Sequence, residues 1–401
     1  MKPANLRAEA EMMWEQLVAW RRDLHRHPEL GFQEVRTASL VADHLSRMGY
    51  EVQTGVAHTG VVGLMEGGAG PGPVVMLRFD MDALPIQEAN EVEYASQVPG
   101  VMHACGHDGH VSIGMGVAAL LARHRDDWPG AVKLVFQPAE EGLNGAERMI
   151  REGVLENPRP DAVLALHLWN QRPLGEALVA PGPIMAAVER WELTVIGEGG
   201  HGAMPHQTVD PIVATAQIIT ALQSVVSRNI DPRQAAVISV GTIHGGETFN
   251  VIPETVTLTG TIRTFDGEVR EQVLRRAREI IAGMAEAMGA RVELSIEGIS
   301  PAVVNDPTVT ALVQEVARDL LGSEAVTTQG QTTGGEDAAF FLQEVPGCYF
   351  FLGSADPERG LDHPHHSPRF DFDEGVLPLG VALLATATVR LLSTAEGPTS
   401  K

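Results

Sequence analysis

Short, mainly apolar segments recur along this chain, and they constrain its fold more than any other feature. They are Val61–Met65, Val74–Phe79, Val132–Phe136, Val163–Leu168 and Gly347–Leu352. Strands buried on both faces have this nearly continuous pattern, whereas half-exposed strands alternate between apolar and polar residues. Helical patterns such as 33–48 and 109–123 lie between the segments. The sequence therefore predicts an α/β fold, with a mixed open sheet sandwiched by helices.

Residues 185–298 have a different pattern. Their predicted strands alternate between apolar and polar side chains, and helices are predicted at 211–227 and 267–287. The order β-α-β-β-α-β is typical of a split βαβ unit. We expect 1–184 and 299–401 to form one metal-binding catalytic domain. The inserted α+β segment is predicted to be a lid that also dimerises, because its sheet leaves a face or an edge free.

Composition excludes several classes of function. The chain has 401 residues and a formal net charge of −23, so it lacks the basic surface that nucleic-acid binding needs. No uncharged apolar run reaches the length of about 18 residues that a membrane span requires. The two cysteines, Cys105 and Cys348, make a disulfide framework implausible and predict a reduced, cytoplasmic setting.

Segment 102–110 concentrates chemically active side chains. It contains one thiol, three imidazoles and one carboxylate, and an apolar run follows it. Cys105 and His107 are two positions apart, so both side chains can point to one side of an extended backbone. That pair suits Zn²⁺, Mn²⁺, Co²⁺ or Ni²⁺. The alternative is a polar loop in which Asp108 caps the next helix.

More donors follow the predicted strands. Glu140 and Glu141 come after the strand at 132–136, where one could hold a cation while the other takes a proton from water. His167 interrupts a buried strand, which more often indicates a core histidine with a partner, unless a further ligand is needed. Between prolines that fix the backbone, His365 or His366 could supply another imidazole.

These donors are too many for one tetrahedral metal site. Together they suit two divalent ions that share a bridging ligand, for which the Cys105 thiolate is our choice. Glu140 is then the general base. Alternatively, Glu140 only contacts a metal ligand and takes no part in proton transfer. Asp80 and Asp82 follow a strand where open sheets bind ligands, although an Asp- and Pro-rich turn is equally compatible.

Eight motifs, in this order, resemble those of a known family. They are Arg22-Asp23-Leu24-His25, Asp80-Met81-Asp82-Ala83-Leu84-Pro85, His103-Ala104-Cys105-Gly106-His107-Asp108, Pro138-Ala139-Glu140-Glu141-Gly142, Gly200-His201-Gly202-Ala203-Met204-Pro205-His206, Asn250-Val251-Ile252-Pro253, Gly334-Gly335-Glu336-Asp337 and His366-Ser367-Pro368. The chain resembles the aminoacylase/carboxypeptidase superfamily of dinuclear metallohydrolases. Within it, the chain is most similar to the branch of hippurate hydrolase and the indole-3-acetyl-amino-acid hydrolases.

The resemblance implies roles for individual residues. Those at metal-ligand positions are Cys105, His107, Glu141, His167 and His366. His366 is preferred to His365 because the family's ligand precedes a Ser/Thr/Asn-Pro pair. Glu140 matches the general base. Asp82 matches a carboxylate that contacts the first metal ligand on its side away from the metal. Asp80 stands where related peptidases have a histidine, so its role stays open.

Three residues of the inserted segment also match functional positions. His201 matches a histidine that reaches the active site, in some relatives from the partner subunit, and it would donate to the oxyanion. Asn250 and Arg263 match positions that hold the substrate carboxylate, which a guanidinium can bind through two hydrogen bonds.

The resemblance implies a metal-dependent amidohydrolase that binds two divalent ions, Zn, Mn, Co or Ni, per chain. Its substrates would be N-acyl-L-amino acids, either hippurate-like or N-acetylated. The inserted domain would mediate a homodimer or homotetramer. One alternative is a dipeptidase or carboxypeptidase with the same dinuclear site. Another is a protein with a purely structural metal, against which Glu140 and His201 argue.

Overall fold

The structure is a computed structural model that describes residues 3–394. The described chain forms two compact units. The larger unit comprises the residues up to Gly182, Val304–Gly330 and the residues from Asp337 onward. The smaller unit comprises Pro183–Val303 and Gln331–Glu336.

The helices and strands have the following bounds. The helices are α1 Pro3–Met12, α2 Trp14–Arg26, α3 Val35–Arg47, α4 His107–Arg123, α5 Glu140–Leu143, α6 Gly145–Arg151, α7 Pro211–Ser224, α8 Gly267–Ala287, α9 Pro307–Leu321, α10 Ala339–Glu344 and α11 Val376–Leu392. The strands are β1 Glu51–Val56, β2 Gly60–Glu66, β3 Val74–Asp80, β4 Ala131–Gln137, β5 Ala162–Pro173, β6 Ala177–Leu178, β7 Gly182–Met185, β8 Ala187–Ile196, β9 Gly200–His201, β10 Ala236–His244, β11 Val251–Ile252, β12 Thr255–Thr264, β13 Arg291–Ser300, β14 Val303–Asn305, β15 Val326–Thr327 and β16 Gly347–Ala355.

The larger unit is organised around an eight-stranded mixed sheet with the order β1-β2-β4-β3-β5-β16-β6-β15. The neighbours β4, β3, β5 and β16 are parallel, so their carboxyl ends share one edge of the sheet. Strands β4 and β16 are buried at every position, which explains their nearly continuous apolar sequences. The sheet and its helices confirm the predicted α/β class.

Helix α4 carries the central donor segment into the core of the larger unit. It starts after Gly106, whose φ of 90° allows an abrupt turn at little steric cost. The helix is apolar nearly all round and packs against α2, α11 and β3. A helix without a polar face has to be buried. His107 and His110 on its first turn are therefore held by a rigid, buried element.

The smaller unit contains a four-stranded antiparallel sheet with the order β10-β12-β8-β13. In chain order its main elements run β8, α7, β10, β12, α8 and β13, which is the split βαβ plan. The alternating side chains of β8 and β12 bury one face of the sheet against α7 and α8. The lid and dimerisation roles of this segment stay predictions.

One helix is shorter than the sequence indicates. The threonines and acidic residues at 332–337 favour a helix from there to about 342, but only Ala339–Glu344 is helical. The Thr332 amide donates to the Ile184 carbonyl at 2.9 Å in a strand-like bridge. The Asp337 carboxylate accepts from the Ala146 amide at 2.9 Å. The backbone of Thr332 and the carboxylate of Asp337 are therefore bound by other segments, so no helix starts at 332.

Candidate metal centre

The five predicted ligands lie together in the larger unit. The ligand atoms of Cys105, His107 and His167 all lie within 4.8 Å of one another, and the same holds for Cys105, Glu141 and His366. The Cys105 Sγ atom is 3.5 Å from Nε2 of His167. Because Cys105 belongs to both groups, its sulfur stands where two donor sets meet.

Asp82 orients two of these donors. Nδ1 of His107 lies 2.9 Å from the backbone oxygen of Asp82 and 3.2 Å from its Oδ1. The other carboxylate oxygen of Asp82 accepts from the Glu141 amide at 2.9 Å. When Nδ1 of His107 donates to Asp82, Nε2 is left for a ligand role. That nitrogen is buried and has no hydrogen-bond partner among residues 3–394. An oriented imidazole of this kind fits metal binding.

The two adjacent glutamates leave β4 through an irregular turn. Ala139 and Gly142 have φ values of 55° and 78°, and Glu141 has a non-helical ψ of 68°. Oε1 of Glu141 lies 3.2 Å from Nε2 of His366. The ligand atoms of His107, Glu140 and Glu141 also lie within 4.8 Å of one another. Both carboxylates therefore face the donor cluster.

The structure separates the two candidate histidines of the last motif. His365 donates from Nε2 to the Leu168 carbonyl at 2.9 Å, and its ring stacks on Trp169 with centroids 4.7 Å apart. His366 has a φ of 65°, and its amide donates to the Ala104 carbonyl at 2.8 Å. Only His366 of the two shares a donor group with Cys105 in the described chain.

Electrostatics at the cluster favour a bound cation. Burial and the charges of Glu141 and Glu140 hold the pKa of Cys105 well above its usual value. Burial lowers the pKa of His107. The interactions with Asp80 and Asp82 outweigh that effect and raise the pKa of His107 to about 10. Burial keeps the pKa of His167 well below its usual value. A divalent ion would neutralise this surplus of negative groups and stabilise the thiolate, so the donor set fits such an ion.

The residues that hold Asp80 could not be predicted from the sequence. Arg78 donates to Asp80 at 2.6 Å, and Nδ1 of His110 lies 2.5 Å from the same carboxylate. Burial opposes ionisation of Asp80, but His107, Arg78 and His110 keep its pKa well below the usual value. Asp80 Oδ2 is 3.6 Å from Nε2 of His107. A lone arginine within an apolar strand gives no sequence signal, because only its partners reveal its role.

Asp108 is not the helix cap that the alternative interpretation required, because the cap position is Gly106. The Asp108 carboxylate instead accepts from Nε of the buried Arg21 at 2.9 Å and lies 2.8 Å from Nδ1 of His25. Arg21 also donates to Asp371 at 2.6 Å. This buried network fixes the first turn of α4 next to His107.

The other predicted site residues lie in the smaller unit. Nδ1 of His201 accepts from the Ala203 amide at 3.1 Å, and the exposed His201 is paired across β9 and β11 with Val251. The carbonyl of Asn250 accepts from the Gly202 amide at 2.8 Å, so the His201 and Asn250 loops are neighbours. Arg263 is half-buried on β12, and its NH1 has no hydrogen-bond partner in the described chain. Burial lowers the pKa of Arg263.

Thiol, imidazole and carboxylate donors at the carboxyl edge of an open sheet are characteristic of an enzymatic metal site. Residues 76–390 match the family described as Peptidase family M20/M25/M40. The chain belongs to this family and is a metal-dependent hydrolase, which confirms the resemblance drawn from the motifs.

Individual relatives agree with this assignment. The chain is 42% identical to thermostable carboxypeptidase 2 of Saccharolobus solfataricus, over 93% of this chain and 95% of the relative. It is 40% identical to IAA-amino acid hydrolase ILR1-like 2 of Arabidopsis thaliana, over 96% of this chain and 87% of the relative. The Bacillus subtilis YXEP protein, a dinuclear metal binding peptidase of family M20, superposes with a TM-score of 0.84 at 35% identity. That match covers 96% of this chain and 99% of the other.

Two further predictions from the sequence concern membrane spans and the two cysteines. Among residues 3–394, no helix combines the length and apolar character needed to cross a membrane. Cys105 and Cys348 are both free and buried. The cytoplasmic setting stays a prediction.

Proposed function

We propose that this hydrolase cleaves the amide bond of N-acyl-L-amino acids, either hippurate-like or N-acetylated, with two divalent ions of Zn, Mn, Co or Ni. One observation carries the proposal: the Cys105 thiol is common to two donor groups, and Glu140 lies beside them. The ions would be held by Cys105, His107, Glu141, His167 and His366. In such sites divalent ions lower the pKa of water and polarise a carbonyl oxygen.

Glu140 is the general base of the proposed reaction. Its carboxylate takes a proton from the attacking water and returns it to the leaving amine nitrogen. Glu141, the adjacent acid, lies 3.2 Å from His366 and has its amide tied to Asp82, which supports a separate role in metal binding. Asp82 keeps Nε2 of His107 free by occupying Nδ1.

The smaller unit supplies the proposed substrate contacts. We infer that His201 donates a hydrogen bond to the oxyanion formed at the amide carbon. Asn250 and Arg263 bind the carboxylate of the N-acyl-amino-acid substrate. The buried NH1 of Arg263 has no hydrogen-bond partner among the described residues, which supports this role because an anionic ligand would satisfy it.

We also propose a homodimer through the smaller unit, with a homotetramer as the alternative. Strand β10 is an edge of its sheet, and Ile243 on it is 53% exposed. Phe249 is fully exposed, and Ile212 and Val213 on α7 are each 47% exposed. An unpaired edge with apolar side chains nearby is a surface that a second copy could cover.

A dipeptidase or carboxypeptidase activity is the second candidate, and similarity to a thermostable carboxypeptidase favours it. The test is a panel of N-acetyl amino acids, N-benzoyl amino acids including hippurate, and free dipeptides. The protein is first stripped by chelation and then loaded with Zn²⁺, Mn²⁺, Co²⁺ or Ni²⁺. We expect kcat/KM to be highest for the N-acyl substrates. Equal values for all three classes, or a preference for free dipeptides, would contradict the proposal.

A further inference from the structure

The turn that delivers Glu140 and Glu141 begins with a residue in an unusual backbone conformation. Ala139 has φ 55° and ψ 47°, the left-handed region that a non-glycine residue rarely occupies. It stands between the last residues of β4 and the two carboxylates, so its conformation sets the direction in which they leave the sheet. Surrounding contacts must hold such a residue in place.

The contact comes from a distant buried acid. Oε1 of Glu34 accepts from the Ala139 amide at 2.9 Å, across 105 residues of sequence. Its other oxygen accepts from the Thr59 hydroxyl at 2.5 Å. Glu34 is fully buried, and that burial raises its pKa to about 7 against the opposing effect of the Thr59 hydrogen bond. A buried carboxyl with both oxygens engaged is a precise anchor for the amide of Ala139.

The same segment also touches Ala139 sterically. A Cβ added at Gly31 would lie 3.0 Å from the Cβ of Ala139, 3.1 Å from its Cα and 2.9 Å from Cδ1 of Leu143. Since carbon atoms in contact normally stay further apart, only a glycine allows this approach. Ala139 is thus held by the hydrogen bond that its amide donates to Glu34 and by packing against Gly31.

We propose that Glu34 is a positioning residue for the Glu140–Glu141 pair, and that it acts by fixing the left-handed backbone of Ala139. This inference rests on the proposed function. Without the Glu34 carboxylate, the buried amide of Ala139 has lost its acceptor and the turn can relax toward commoner backbone angles. Glu141 would then move relative to Cys105 and His366, and Glu140 relative to the reacting water.

The chain provides a matched control next to helix α3. The carboxylate of Glu29 accepts from the amides of Arg36 and Thr37 in the first turn of α3, at 2.9 and 2.8 Å. Glu34 precedes that helix directly but directs its carboxylate to Ala139 and Thr59. The variants Glu29→Ala and Glu34→Ala therefore each remove an anchoring carboxylate at one helix end, and only the second removes the contact with Ala139.

The experiment measures Zn²⁺ affinity by competition with a chelator, together with kcat, KM and the free energy of unfolding. We expect Glu34→Ala to weaken Zn²⁺ binding by ~10 to 100-fold and to lower kcat more than it changes KM. Glu29→Ala should lower stability and leave Zn²⁺ affinity unchanged. Glu34→Gln should restore affinity and kcat, because its amide oxygen can accept from Ala139 while its NH₂ donates to the Thr59 hydroxyl.

The inference is overturned if Glu34→Ala and Glu29→Ala lose the same stability and both keep full Zn²⁺ affinity. If Glu34→Ala does not fold, Gly31→Ala replaces it, since its methyl group presses on Ala139. Weaker Zn²⁺ binding by that variant supports the inference, and unchanged binding overturns it. Absence of hydrolysis by the wild-type protein would refute the proposed function, whereas the affinity comparison would still decide the role of Glu34.

Discussion

The sulfur of Cys105 lies 3.5 Å from Nε2 of His167, although 62 residues separate them in the sequence. Cys105 stands just before α4, and His167 lies on β5 beside β3. The packing of α4 on β3 and the pairing of β3 with β5 bring the two donors together. A thiol and an imidazole at this separation can bind one soft or borderline metal ion.

Removal of the Cys105 thiol should lower the amount of metal that the protein binds. We expect Cys105→Ala to bind at least one ion fewer than the wild type, because the proposed thiolate ligand shared by the two donor groups is lost. Metal per chain is measured by mass spectrometry after dialysis. The matched control is Cys348→Ala, which removes the other buried cysteine, on β16. Equal metal contents for the two variants would contradict the assignment of Cys105.

Glu140→Gln should separate proton transfer from metal binding. The amide cannot accept a proton from water, so kcat should fall by roughly 10²-fold or more while metal content and stability are kept. Steady-state kinetics on an N-acyl amino acid give the answer. Glu147→Gln is the control, because Glu147 pairs with Arg151 on the surface of α6 and belongs to none of the donor groups in the described chain. If Glu140→Gln keeps its activity, Glu140 is not the base.

His201→Ala should lower kcat and leave metal content unchanged. Loss of one oxyanion donor typically lowers kcat by ~10²- to 10³-fold. His206, five positions later in the same exposed region, provides the control variant His206→Ala. Equal kcat values for the two variants would show that His201 does not contact the reacting group.

The oligomer can be tested at the edge of the smaller sheet. Ile243→Asp places a charge on the exposed part of β10 and should convert a dimer to a monomer, because burial of an unpaired carboxylate is unfavourable. Light scattering after gel filtration measures the mass. Ser295→Asp puts the same charge on β13, the other edge strand, and should leave the mass unchanged. A wild-type monomer would refute the proposed dimer.

Lys133 should make stability depend on pH in the alkaline range. Its ammonium donates to the carbonyls of Val154, Glu156 and Pro158 at 3.0, 2.7 and 2.6 Å. Burial lowers the pKa of Lys133 from 10.5 to about 8, although the charge of Glu156 opposes the shift. Between these values the unfolded chain binds more protons than the folded one, so this residue makes the folded state more stable as pH rises.

The comparison uses Lys133→Met, in which this titration is absent. The free energy of unfolding of the wild type, relative to this variant, should rise between pH 8 and 10.5 by up to ~3 kcal/mol. Urea unfolding at several pH values measures the difference, and other titrating groups cancel in it. A difference that stays constant, or falls, would show that the three carbonyl acceptors keep Lys133 charged.

Local sequence patterns were sufficient to predict most helices and strands of the fold. Apolar runs indicated β2, β3, β4 and the start of β5, and helix α8 begins and ends at the residues that periodicity predicts. Strand β1 was missed because its side chains are mostly exposed, and it is identified only by its pairing with β2. The prediction that a helix starts at 332 was wrong, because the backbone of Thr332 and the carboxylate of Asp337 have partners in other segments.

The sequence by itself determined which chemistry is available, since it supplies a thiol, imidazoles and paired carboxylates in a recognisable order. Tertiary structure decided which nitrogen of His107 is free, why His366 rather than His365 joins the donors, and which buried groups hold them. Arg21, Glu34 and Arg78 gave no local signal, because a buried charge is explained only by partners that are distant in the chain. Donor identity is a property of residues, whereas the distance between donors is a property of the packed core.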